Sequence, residues 1–140
     1  MSNIYAQFIY DADLQLQDAG LIAASTNGDY ILDMGDGIFD GFMVIDVTAV
    51  EVASGDEIYD IYLEGSSVAD MTSGSVALSQ IRMGNASDPA DSDTGTGRFT
   101  VPVRNEQNGT LYRYVRLRAV VAGTVATGIN LSSFLAKRPV

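Results

Sequence analysis

Apolar and polar residues alternate over much of this chain. In GRFTVPV, Phe99, Val101 and Val103 fall on one side of an extended segment, and Arg98, Thr100 and Pro102 on the other. EIYDIYLEG sets Tyr59, Ile61 and Leu63 against Asp60, Tyr62 and Glu64. YRYVRLRAVVAGT, residues 112–124, sets Val115, Leu117, Ala119 and Val121 against Tyr114, Arg116 and Arg118. Each pattern predicts a half-buried antiparallel strand, with the arginines on a wet or partner-facing side. FMVIDVTAVEV, residues 42–52, is longer and more apolar. Asp46 and Thr48 share the phase of Phe42 and Val44, but Glu51 falls on the opposite one, which predicts a β-bulge near Ala49 and Val50. Further strands are expected at residues 29–34, 77–83 and 128–138.

Turn signals punctuate these runs: Asn27-Gly28, Gly35-Asp36-Gly37, Asp40-Gly41, Ser54-Gly55-Asp56, Asn108-Gly109 and Ala122-Gly123. No window of helical length carries a 3.6-residue apolar stripe. Short strands between regular turns predict an all-β fold, an antiparallel sandwich or barrel, in one domain spanning residues 1–140. Residues 1–12, with Tyr5, Phe8 and Tyr10 among polar neighbours, are expected as an edge strand or arm. Residues 84–97, GNASDPADSDTGTG, break the period and are expected as a flexible acidic surface loop.

Charge adds a question to this picture. The chain of 140 residues has a net charge of −10. Residues 1–81 hold 14 acidic and no basic residues, whereas residues 82–140 hold 8 basic and 4 acidic ones. If the two parts interleave in one fold, the late arginines meet the early carboxylates. The sharper alternative is a basic strip on Arg116 and Arg118 reserved for an acidic partner. The overall charge argues against binding nucleic acid or an anionic membrane surface. The opening residues lack the positive and apolar regions of a secretory signal, so synthesis and action in an aqueous compartment are expected.

Candidate chemistry is sparse. Cysteine and histidine are both absent, which removes the Ser-His-Asp device and the usual zinc ligands. Carboxylates are many, but no spacing selects a catalytic pair. Asp33, Asp36 and Asp40, and likewise Asp88, Asp91 and Asp93, could offer oxygen to calcium, yet neither set has EF-hand spacing. The expectation is a protein with no catalytic residues, no metal and no cofactor. Tyr62, Tyr112 and Tyr114 suit either a sugar site or a protein interface.

The run YRYVRLRAVVAGTVATGINLSSFLA, residues 112–136, resembles the C-terminal signature of the capsid cement, or decoration, proteins of tailed phages, typified by the Bordetella phage cement protein family. Arg113, Tyr114, Val115, Arg116 and Leu117 stand where that family has an Arg-Tyr-aliphatic-Arg strand. Val121, Ala122, Gly123 and Thr124 stand at its Val-Ala-Gly-Thr turn. Residues 11–35 are similar too, through Ser25, Asn27, Leu32, Asp33 and Gly35. Gln17-Asp18-Ala19-Gly20 departs from the family's Ser-Asp-Ala-Gln, and the acidic loop is longer than usual.

The resemblance implies a jelly-roll β-sandwich made in the host cytoplasm and placed on the outer capsid surface of the virion. There it would clamp neighbouring major capsid proteins, commonly as a homodimer. Expected contact residues are Tyr5, Phe8, Tyr10, Tyr114, Arg116 and Arg118. The alternative from another class is a carbohydrate-binding sandwich of a phage adhesin. A glycoside-processing enzyme would require a deep cleft with two facing carboxylates.

Overall fold

The computed structural model describes residues 10–84 and 95–137. After a short 3₁₀ turn at Ala12–Leu14 come β1 (Gln15–Ile22), β2 (Thr26–Asn27), β3 (Leu32–Asp33), β4 (Asp40–Val50), β5 (Ile58–Ser66) and β6 (Val76–Gly84). Then follow β7 (Gly97–Arg104), β8 (Glu106–Gln107), β9 (Thr110–Leu111), β10 (Tyr114–Ala122) and β11 (Ile129–Lys137). One antiparallel sheet has the order β1-β11-β4-β7, and the other β2-β10-β5-β6, with β3 also pairing β10. The two sheets pack as an all-β sandwich. With β2 and β3 taken as one interrupted strand and the β8–β9 hairpin set aside, every connection except β5 to β6 passes from one sheet to the other.

The alternation places the core as expected. Tyr59, Ile61 and Leu63 of β5, Val115, Leu117 and Ala119 of β10, and Val103 of β7 are buried between the sheets, with Phe99 and Val101 partly so. Those of β5 and β10 meet Leu16, Met43, Ile45, Leu131 and Leu135, which with β7 belong to the facing sheet. Each such side chain taken fully from water contributes about 1.5–3 kcal/mol. Polar atoms inside are paired. The Ser133 hydroxyl donates to the Val44 carbonyl at 2.9 Å. Buried Asn105 accepts from Phe39 N–H at 2.8 Å and donates to the Gly37 and Tyr112 carbonyls, both at 3.2 Å. One amide thus ties the turn before β4 to the β8–β9 hairpin.

The bulge expected in the long strand is present. Asn130 opposes Ala49 while Leu131 opposes Val47, so Thr48 is the extra residue. Two expectations change. Residues 29–34 do not form a continuous strand: only Leu32–Asp33 pairs β10 there, after the separate pairing of Thr26–Asn27. Between them Gly28 N–H donates to the Leu117 carbonyl at 2.7 Å, and Tyr30 N–H donates to the Leu16 carbonyl of the opposite sheet at 3.3 Å. The chain here bridges the two sheets. A Cβ on Gly28 would stand 2.9 Å from the Leu16 carbonyl oxygen, so the close approach requires glycine. The second change is β1 itself. Its two register shifts against β11 break the alternation that would have marked it as a strand.

Candidate interaction faces

β10 carries Tyr114, Arg116 and Arg118 to the outer face of the second sheet, since Val115, Leu117 and Ala119 point inward. Register sets Arg116 opposite Glu64, Arg118 opposite Tyr62, and Val120 opposite Asp60 of β5. On the far side of β5, Asp60 opposes Arg82 and Tyr62 opposes Gln80. The face is therefore laced with charged hydrogen bonds. Arg116 Nε lies 3.1 Å from Glu64 Oε2, and these side chains are only 15% and 18% exposed. Arg82 makes a two-pronged contact with Asp60 at 2.8 and 3.1 Å, and Gln80 adds a third donor at 3.2 Å. Arg118 donates instead to Asn27 Oδ1 at 3.0 Å, a neutral partner.

The same pairing recurs elsewhere. Arg98 grips Asp46 at 2.7 and 3.0 Å, and Arg113 grips Asp33 at the same two distances while standing 3.7 Å from Asp36. Arg104 stands 3.9 Å from Glu106. The Arg113 contact, then the Gly35 N–H, hold the Asp33 carboxyl below its ordinary value. Of the six described arginines, only Arg118 lacks a carboxylate partner. Most of the described arginine charge is thus taken up by internal pairs, while the excess of carboxylates remains. Asp33 and Asp36, named above as possible calcium oxygens, face this guanidinium; Asp88, Asp91 and Asp93 lie outside the described residues.

The outer face of the first sheet is different. Phe134 opposes Val44, and Ala136 opposes Phe42. Val44, Phe134 and Ala136 form a small apolar cluster of their own, separate from the core. The Tyr10 ring meets Phe134 edge-on at 5.3 Å, and the Arg98 guanidinium lies 5.5 Å from the same ring. Tyr10, expected as a contact residue, is thus set on the side of the sandwich away from Tyr114, Arg116 and Arg118. Tyr5 and Phe8 lie outside the described residues.

One end of the sandwich is closed by carboxylates that cap backbone. Glu51 accepts from the N–H groups of Ala126, Thr127 and Gly128 at 3.0, 2.6 and 2.9 Å, and from the Thr127 hydroxyl at 3.0 Å. These donors, the Gly128 N–H foremost, hold its carboxyl below the ordinary value. Asp56 accepts from Thr124 N–H and hydroxyl, both at 3.0 Å. Surface concavities lined by described residues include one of about 330 Å³ among Leu14, Leu32, Met34, Ile38 and Phe39, and one of about 530 Å³ beside Leu21, Val50 and Val52.

A feature that the sequence did not disclose lies on the edge formed by β1 and the β2–β3 segment. The Tyr10 hydroxyl donates to Gln15, and Gln15 Nε2 donates to Asp18 at 2.9 Å. The Tyr30 hydroxyl donates to the other Asp18 oxygen at 2.7 Å, while Asp18 N–H donates to Asp29 at 3.1 Å. The hydrogen bond to Asp18, then partial burial and the charges of Asp18 and Asp29, raise the Tyr30 hydroxyl above its ordinary value. Residues 10 to 30 are brought together only by the crossing at Gly28, so no spacing marks them. No protein-family model matches this chain, and no curated protein matches it.

Proposed function

We propose that this protein is a non-catalytic cement of a tailed-phage head: a jelly roll that binds the outer capsid surface and clamps neighbouring major capsid proteins. The jelly-roll reading is supported by strand order. With β2 and β3 counted as one strand and the β8–β9 hairpin set aside, eight strands lie in two antiparallel sheets with all connections but one crossing between them, an order that suits two interlocked Greek keys. The cement reading rests on the resemblance of residues 112–136, and one observation carries it furthest. The Arg-Tyr-Val-Arg-Leu run is an inner strand of a sheet whose outer face is a broad, polar, side-chain-cross-linked surface. Such a surface suits an area contact, in which about 800 Å² on each partner is typical and repetition over a shell adds avidity. Arg118, the arginine with a neutral partner, is the member of that face with charge to offer. A net charge of −10 favours the outside of a head over the DNA-filled inside.

The test is co-sedimentation with expanded, empty heads of the phage that encodes the chain, run beside a glycan screen. Saturable binding to heads without glycan binding is expected; glycan binding without head binding overturns the reading. The sugar-binding alternative has one observation in its favour, the exposed Tyr10 and Tyr30 beside Gln15 and Asp18. Their hydroxyls and the Asp18 carboxylate are, however, already engaged with one another, and a sugar would have to displace those bonds.

A further inference from the structure

We propose that the edge formed by β1 and the β2–β3 segment is a docking surface for a different protein, one that presents lysine or arginine around a small apolar site. The inference rests on the cement reading and adds to the outer face of β10 a second shell contact, of opposite sign, as a clamp between neighbouring subunits requires. Four of the five exposed large hydrophobic side chains among the described residues, Tyr10, Leu21, Tyr30 and Ile31, belong to this stretch of chain. Burying them would contribute to association in the usual way of an interface centre. Asp18 and Asp29 fall in the same stretch, exposed and joined through the Asp18 N–H, with the Tyr30 hydroxyl on Asp18, and no cation answers either one among the described residues. Five of the six described arginines pair with carboxylates, and Arg118 spends a donor on Asn27 of β2, so Asp18 and Asp29 are carboxylates that no described ion pair compensates, in the stretch that also exposes most apolar side chains. Its complement is basic.

Two further observations narrow the occupant. The backbone of the edge is already used: Tyr30 N–H bonds the Leu16 carbonyl, and Asp29 N–H bonds Gln17 Oε1 at 2.9 Å. Together with the register shifts in β1, this argues against addition of a strand from the partner and for contact through side chains. A second copy of this chain is also a poor occupant. Each copy carries a net charge of −10 and would bring a second acidic edge, and like charges brought together oppose association. The partner is therefore another protein, which on the cement reading is the shell subunit.

The double variant Asp18→Asn/Asp29→Asn keeps hydrogen-bonding side chains and removes both charges. It is expected to bind empty heads about tenfold more weakly at low salt, with the gap to the parent protein closing at high salt. Its melting temperature should change little, because relief of the repulsion between two neighbouring carboxylates offsets the weaker hydrogen bonds to Gln15, Tyr30 and the Asp18 N–H. Leu21→Ser/Ile31→Ser is expected to weaken binding at every salt concentration. Parent protein and both variants binding heads alike would overturn the inference and leave the cement reading standing. Failure of the parent protein itself to bind heads would remove both. A glycan held by the parent protein and lost in Tyr30→Ala would reassign the edge to sugar.

Discussion

Tyr59 joins two regions through one side chain. Its ring is fully buried in the core, and its hydroxyl donates to the Glu51 carbonyl at 2.9 Å, where the chain leaves β4. Burial, then the charges of Glu51 and Glu57, push the hydroxyl from 10.0 up to about 12. The unfolded chain therefore loses this proton first. The stability it contributes is complete below pH 10 and is lost as pH rises through about 12. Tyr59→Phe should cost about 1 kcal/mol in denaturant melts at neutral pH and should flatten that alkaline decline. Arg116 and Glu64 invite a double-mutant cycle on the isolated protein. A coupling of about 1–2 kcal/mol is expected for so shielded a pair, whereas a coupling near zero would free Arg116 for a partner. The sequence showed that early acids and late arginines are unevenly placed; which carboxylate each arginine meets depended on strand register, which charge counts do not contain.

At the scale of elements, the resemblance motif has a structural explanation. Gly123 closes the turn after β10 with φ +92°, and a Cβ there would stand 2.1 Å from the Asp56 carbonyl oxygen. Thr124 next to it is held by the Asp56 carboxylate. The Val-Ala-Gly-Thr run thus locks the β10–β11 turn onto the loop before β5. Gly123→Ala should destabilise the protein by about 2 kcal/mol or more, read as a lowered denaturant midpoint, because both conformation and space are violated. β5, β7 and β10 were legible because their apolar side chains alternate toward the core, even though Asp60 on the other side of β5 is buried by its own pairing with Arg82. β1 was not, because its register shifts interrupt that period, and residues 29–34 were misread because half of the segment bonds across the sandwich instead of along β10.

For the whole molecule, carboxylates govern the response to acid. Asp33, Glu51, Asp56 and Asp70 are all held below their ordinary values of 3.8 or 4.5, by Arg113 in the first case and by backbone or Thr donors in the others. A depressed carboxyl adds stability above its unfolded value and loses that contribution as pH falls through its folded one. Melting temperature should hold steady down to about pH 5 and decline below it. Glu51→Gln should melt lower than the parent protein near neutrality, with the difference shrinking as both are acidified.

The sequence by itself determined an all-β chain, most of its long strands, the two faces of each and the bulge near the end of β4, because burial of one side of a sheet imposes a period that survives in one dimension. It also lacks histidine, so none of these 140 residues can serve a serine as an imidazole base. Tertiary structure alone decided which charges cancel and which are left over. Pairing of distant strands set Asp60 beside Arg82 and Glu64 beside Arg116. The crossing at Gly28 brought Asp29 and Tyr30 to Asp18 on one edge, where no described ion pair reaches either carboxylate. Electrostatic and hydrogen-bonding partners are chosen by distance in space, and a linear order of residues carries that distance only where the chain runs straight.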